Sequence, residues 1–197
     1  MARSNPAGSK IPESLLFFSE FLRDPVTTGS VCPSAPALAR RMIRCLDLDP
    51  ADRVVELGPG TGSITQFLLN CVPRHNLVTV EKSTQMVAHL RQRFPKVHVI
   101  QGDALQLHKL IQDSLGKKTR VKHVVSSLPL RVFKPEQVRQ LARQVARVLE
   151  PGGRLVLYTY ALWSRKGLPD RKLAHQQTCF VWRNLPPARV DVYVRIP

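Results

Sequence analysis

Residues 52–62 read DRVVELGPGTG, a short apolar run that ends in a carboxylate and enters a turn with glycine at every second position. Glycine there permits a tight turn and lets backbone approach a ligand closely. A helix starting just after Gly62 would add unpaired backbone N–H groups. Related glycine turns seat a pyrophosphate, but Glu56 just ahead of this turn suits an ammonium better than a phosphate. The amino-acid-like end of a ligand therefore fits Glu56, Gly58, Gly60 and Gly62. Glu81 closes the next apolar run, 77–80, where a carboxylate can accept hydrogen bonds from both hydroxyls of a ribose. Asp103, followed by Ala104 in QGDAL, comes after the third run and can accept from an exocyclic adenine amine. Singly, these are a turn, a strand-end acid and a loop acid. In sequence order they call for one ligand with an amino-acid end, a ribose and an adenine.

The elements that must position these residues alternate. Strands are expected at 54–57, 76–80, 97–100, 121–126 and 154–160, with helices at 63–70, 85–94, 107–115 and 135–149 between them. Such alternation implies a parallel sheet covered on both faces. Gly152 and Gly153 after Pro151 are expected to stop the long helix. The tail departs from this pattern: strand-like runs at 178–182 and 190–194 leave no room for a helix and should pair as a hairpin on one sheet edge. Ahead of the first strand, a helix at 12–24 gathers Leu15, Phe17, Phe18, Phe21 and Leu22 on one side. A second, at 37–46, turns Leu38, Met42 and Leu46 one way and Arg40 and Arg44 nearer the other. The expected fold is α/β, a Rossmann-like three-layer domain with a seven-stranded, mostly parallel sheet and a C-terminal antiparallel hairpin. Residues 1–49 form amphipathic and lid helices over the C-terminal strand ends, and residues 50–197 form the catalytic domain.

Composition narrows the surroundings. The 197 residues carry 30 Lys and Arg against 14 Asp and Glu, for a net charge of +16, and almost none of the excess falls in residues 1–53. That balance favours an anionic surface, whether lipid, nucleic acid or an acidic partner. The longest apolar stretch, 155–163, falls far short of the roughly 20 residues a membrane-spanning helix needs. Acids interrupt the apolar N-terminal segment and no small-residue cleavage site follows, so no secretory signal is expected. Cys32, Cys45, Cys71 and Cys179 show no paired spacing and read as small buried hydrophobes of a reduced compartment. The histidines are scattered without metal-ligand spacing, so no metal site is expected.

VVELGPGTG, LVTVEKS, VIQGDAL and LEPGGRLVLYTY resemble the successive nucleoside-binding and strand elements of class I S-adenosylmethionine-dependent methyltransferases, over residues 50–160. Within that class the chain looks most like the small bacterial phosphatidylethanolamine N-methyltransferases. These share a similar FLRDPVTTGSVCPSAPALAR entry, SSLPL after the fourth strand and a TCFVWRNLPPARVDVY ending. The resemblance implies S-adenosyl-L-methionine as cofactor and methylation of phosphatidylethanolamine or its mono- and dimethyl derivatives. Carried over, Glu56, Gly58, Gly60 and Gly62 would surround the methionine portion, Glu81 the ribose, and Asp103 the adenine region, with Ala104 and Ser127 also cofactor-binding.

The competing family is the ribosomal RNA adenine dimethyltransferases, which share a similar ELGPGTG and QGDAL and whose phosphate-binding surface would also suit +16. That family carries Asn–Leu–Pro–Tyr where this chain has Ser127, Leu128, Pro129 and Leu130. A leucine supplies no aromatic face on which a flipped base could stack. A lipid amine is therefore the expected acceptor, with nucleic acid the alternative partner and a fold retained for membrane or RNA binding without catalysis a further one. Ser127 and Tyr160, both at strand ends on the ligand edge, are the candidate catalytic residues. With no acid beside Ser127, acceleration should come mainly from proximity and exclusion of water. Candidate membrane contacts are Phe17, Phe18 and Phe21, with Arg40, Arg41, Arg44, Arg165 and Lys166 for anionic headgroups. The expected location is the cytoplasm, peripheral on the inner face of the cell membrane. Trp182 reads as core or interface, and Arg183 could face phosphate.

Overall fold

The computed structural model describes residues 34–163 and 168–197. Phe17, Phe18, Phe21, Arg165 and Lys166, and the helix expected at 12–24, lie outside the described residues. Helix α1 (Ser34–Arg44) precedes β1 (Val54–Leu57), α2 (Ser63–Leu68), β2 (Leu77–Glu81), α3 (Thr84–Arg93) and β3 (His98–Gln101). Then come α4 (Leu107–Leu115), β4 (Val121–Ser126), α5 (Pro135–Val148), β5 (Leu149–Thr159), β6 (Leu173–Val181) and β7 (Ala188–Arg195).

The strands form one sheet in the order β3-β2-β1-β4-β5-β7-β6. From β3 to β5 every pairing is parallel, and β7 runs antiparallel to both β5 and β6. The expected hairpin is present, with β7 on the inside and β6 as the edge. Because the chain builds β1, β2 and β3 outward and then crosses back to β4, the order reverses between β1 and β4. Open parallel sheets bind ligands at the carboxyl ends of the strands where such a reversal leaves a crevice.

Side-chain alternation divides the core. Val54, with Leu38, Met42, Ile64, Leu68, Val87 and Leu90, fills the layer under α1, α2 and α3. Val55 and Leu57, with Leu107, Ile111, Leu141 and Val145, fill the opposite layer under α4 and α5. Each fully buried aliphatic side chain contributes about 2 kcal/mol relative to exposure, so these two periodic stripes hold the sheet between its helices. Arg154 ties α1 to the sheet by donating to the carbonyls of Cys45 (3.3 Å) and Leu46 (3.1 Å). There it meets the negative end of the helix dipole.

Three expectations need correcting. The glycine pair does not stop α5: the helix ends at Val148, and Leu149 is already extended (φ −67°, ψ 144°). Pro151 disfavours the helical conformation for Glu150, and the glycines lie inside β5, beside a register shift against β4. Glycine is needed at position 153, where an added Cβ would stand 2.7 Å from the Lys122 carbonyl. Cys71 is exposed, whereas Cys45 and Cys179 are buried as expected. Of the two readings of Trp182, core or interface, the core one fails, since it is 64% exposed just beyond the end of β6.

Candidate active site

Glu56 is fully buried, and its position in β1 points it into the layer beneath α2. Its Oε2 accepts a 2.6 Å hydrogen bond from the Thr65 hydroxyl of α2, while Oε1 is enclosed without a partner. Burial pushes the carboxyl up to about 7, against the hydrogen bonds from Thr65 and with the help of the nearby Glu81 charge. An enclosed carboxylate oxygen with no donor is costly. It is also the feature that a ligand ammonium would satisfy.

The turn after β1 holds Gly58 at φ +65° and Gly60 at φ +56°, conformations that L side chains rarely adopt. A Cβ on Gly58 would strike the Leu128 side chain at 2.6 Å, so this glycine lets the β1 and β4 loops meet. A Cβ on Gly60 would have nothing within 4 Å, so the space above this turn is open. The Gly60 N–H donates to Glu81 Oε2 at 3.2 Å, while the backbone N–H groups of Lys82 and Ser83 donate to Oε1 at 2.8 and 2.9 Å. Three backbone donors thus fix the Glu81 carboxylate at the end of β2, facing the glycine turn.

Asp103 caps the short turn Ala104–Gln106, accepting from the Leu105 N–H at 2.9 Å, and Ala104 is buried behind it. Its second oxygen accepts from Lys82 Nζ at 2.8 Å. Partial burial pushes the Asp103 carboxyl up, but the bonds from Lys82 and Leu105 and the Lys82 charge outweigh it. The net result lies below the usual carboxylate range.

On the other side of the reversal, the Ser127 N–H donates to the Leu57 carbonyl at 2.9 Å, which draws the β4 loop against the end of β1. The Ser127 hydroxyl is enclosed and has no protein partner. Leu128 and Leu130 pack against the core under α4 and α5. Tyr160, just past the end of β5, packs edge-on against Tyr158 with ring centroids 5.6 Å apart. Burial, with Tyr160 alongside, raises the Tyr158 hydroxyl above its ordinary range.

The strand ends therefore gather Glu56, the glycine turn, Glu81 and Ser127 by direct or adjacent contacts, with Asp103 joined through Lys82. Tyr160 stands on the same edge two strands away from β1. Among the membrane candidates, Arg40 and Arg44 are exposed, with Arg40 over the Phe67 ring at 5.8 Å. Arg41 is half-buried, and its Nε is enclosed without a partner. Sequence reasoning missed Thr65, Lys82 and Phe94, the last standing where a Cβ on Gly62 would fall. Lys82 was open to detection, since it directly follows Glu81. Thr65 and Phe94 depend on helix phase relative to the sheet, which spacing alone does not set. Among the described residues, no group of three or more His, Cys, Asp or Glu could hold a metal, and no helix is long and apolar enough to cross a membrane.

A seven-stranded α/β sheet with a glycine turn at its order reversal and carboxylates on successive strand ends defines a nucleoside-binding enzyme fold. Residues 54–153 match the methyltransferase domain family, and the chain belongs to it. The chain is similar to an ornithine lipid N-methyltransferase of Singulisphaera acidiphila, with 33% identity over 177 residues, 88% of this chain and 91% of that protein. It is also similar to a ribosomal RNA small subunit methyltransferase A of Parasynechococcus marenigrum, with 35% identity over 120 residues, but that match spans only 38% of the relative. Among solved structures, the N-methyltransferase NodS of Bradyrhizobium japonicum, in complex with S-adenosyl-l-homocysteine, shares the fold. Its TM-score is 0.68 at 14% identity, over 91% of this chain and 97% of that one. The protein is an S-adenosylmethionine-dependent methyltransferase of the class I fold, related to lipid and ribosomal RNA methyltransferases. The enclosed Glu56 oxygen, the open space over Gly60 and the fixed Glu81 carboxylate fit that cofactor.

Proposed function

We propose that the enzyme methylates the amine of a membrane-lipid headgroup: phosphatidylethanolamine and its mono- and dimethyl derivatives, or an ornithine lipid. Phosphatidylethanolamine and an ornithine lipid each present a primary amine at a bilayer surface, and the methylated derivatives keep an amine nitrogen there until the last transfer. The observation that carries this reading is coverage: the similarity to the lipid N-methyltransferase runs through 91% of that protein, whereas the ribosomal RNA relative is matched over 38% of its length. Leu130 supports it, since a half-buried aliphatic side chain packed into the core provides no platform for a base.

Bound S-adenosylmethionine supplies a methyl group on a sulfonium, which departs as a thioether when an amine lone pair displaces it in line. Glu56 holds the ammonium of the amino-acid end through Oε1, and Gly58, Gly60 and Gly62 let that end lie against the backbone. Glu81 accepts from the ribose hydroxyls, and Asp103 with Ala104 bounds the adenine. Ser127 accepts a hydrogen bond from a primary or secondary lipid amine through its unpartnered hydroxyl and orients the lone pair. Tyr160 borders the acceptor side from the end of β5. A headgroup ammonium must shed a proton before attack, and Ser127 has no acid beside it. The residues therefore act mainly by positioning the amine and excluding water. Residues 50–197 are the catalytic domain in this reading, and Arg40, Arg41 and Arg44 face anionic headgroups at the cytoplasmic membrane surface.

The test is acceptor choice. The purified protein is given methyl-labelled cofactor with phosphatidylethanolamine vesicles, ornithine-lipid vesicles or deproteinised ribosomal RNA in separate reactions. Label in either lipid is the expected result and identifies the headgroup. Label in RNA alone overturns the proposal.

A further inference from the structure

The C-terminal hairpin ends on the catalytic edge of the sheet. β7 starts beside the end of β5, with Arg189 opposite Thr159 and also opposite Phe180 of β6. The tip between β6 and β7 therefore sits where the parallel strands deliver their ligand-binding ends. Phe180 (40% exposed) and Trp182 (64% exposed) stack there with ring centroids 5.6 Å apart and planes 17° from parallel. Trp163 is 84% exposed and follows Leu162, whose carbonyl accepts from Arg189 at 3.2 Å, which ties the segment carrying Trp163 to the start of β7.

Two stacked aromatic side chains exposed at one edge, with a third exposed on a segment tied to β7, are not explained by packing, and clustered apolar exposure marks an interaction surface. The acid nearest in sequence, Asp191, is buried in an ion pair with Arg189 at 2.9 Å, so the exposed charge at the tip itself is basic. Arg183 is exposed at the tip, and residues 178–190 contain no acid. Along the same edge, after β4, Val132 is 42% exposed and Arg131 is exposed beside it. Tryptophan favours the bilayer interface, where its ring is buried and its N–H stays wet. Basic residues beside it are drawn to an anionic leaflet, at about 1 kcal/mol each.

We propose that the β6–β7 tip, through Phe180 and Trp182 with Trp163, inserts into the headgroup region of an anionic bilayer and sets the catalytic edge against the membrane. This deepens the lipid-acceptor reading and rests on it. Such a tip would let a lipid amine reach Ser127 without leaving the leaflet.

The chain has two tryptophans, so its own fluorescence reports the contact. Trp163→Phe leaves Trp182 as sole emitter, and Trp182→Phe leaves Trp163. Vesicles of phosphatidylcholine with phosphatidylglycerol should shift both emissions to the blue, and brominated lipid should quench them. The double variant Phe180→Ser, Trp182→Ser should lose at least tenfold in vesicle partitioning. It should keep cofactor affinity, and also turnover on detergent-dispersed lipid, within threefold. Trp182 emission unmoved by vesicles and unquenched by brominated lipid would overturn the proposal, even if the protein binds vesicles elsewhere. So would a blue shift on concentrating the protein without lipid, which would assign the tip to a second copy of the chain. The vesicle readout needs no methyl transfer. Lipid binding through the tip with label appearing only in RNA would therefore reject the acceptor reading and leave the docking surface standing.

Discussion

Replacing Glu56 by Gln tests the buried carboxylate at the centre of the site. Burial raises its pKa from the ordinary 4.5 to about 7 in the folded chain. Between those values the folded state holds a proton that the unfolded state has released, so stability falls as pH rises through the interval. The group's neutral-state contribution is fully present below 4.5 and gone above 7. One pKa unit corresponds to about 1.4 kcal/mol, so the penalty reaches about 3 kcal/mol. Glu56→Gln keeps the shape and an oxygen to accept from Thr65, but never ionises. Its absolute stability is complicated by the buried amide N–H₂, which lacks a partner; its pH dependence is not. In urea unfolding at pH 4.5, 6, 7 and 8, the variant should gain on the natural protein by about 3 kcal/mol between the lowest and highest pH. Saturating S-adenosylmethionine should narrow that gap by bringing an ammonium to the ionised carboxylate, and should bind the variant at least tenfold more weakly. Stability curves for the two proteins that run parallel from pH 4.5 to 8 would refute the reasoning.

Gly60→Ala should fold with a loss of about 1 kcal/mol from its left-handed backbone, yet weaken cofactor binding at least tenfold in calorimetry, because the added methyl enters the open space over the turn. Gly62→Ala should instead lose about 3 kcal/mol in denaturant unfolding, since its Cβ would stand 2.4 Å from the Phe94 ring. Asp103→Ala should raise the cofactor Kd about tenfold or more, while Lys82→Ala should leave it within threefold or tighten it, since Lys82 occupies an Asp103 oxygen. Ser127→Ala should lower kcat on lipid about tenfold, the worth of one oriented hydrogen bond, a larger effect than any rise in cofactor Kd. Equal turnover at every pH would remove the Ser127 hydroxyl from the account.

The parts of the site set by strand ends were legible in the sequence. An apolar run that closes at Glu81 or just before Asp103 declares where a parallel strand delivers its last residue, and Glu56 lies one residue inside β1, which ends at Leu57; the chain order then fixes which ends are neighbours. Leu38, Met42 and Leu46 were legible for the same reason, as helical periodicity names a buried face. Contacts between layers were not. That Thr65 meets Glu56, or that Phe94 fills the space over Gly62, depends on how α2 and α3 rotate against the sheet. The glycine pair misled because a Pro–Gly–Gly sequence serves equally as a helix stop and as a bulge; only the close Lys122 carbonyl distinguishes them. The core reading of Trp182 failed because it continues the face of Phe180 just past β6, and that face is uncovered at the sheet edge.

A crystal structure with S-adenosylhomocysteine tests the central claim most directly. The account predicts the ligand ammonium on Glu56 Oε1, directly or through one water, the ribose hydroxyls on Glu81, and the adenine beside Asp103. Ligand bound instead at the opposite edge, in the polar cleft of about 350 Å³ lined by Asp52, Arg53, Arg120 and Lys122, would contradict it.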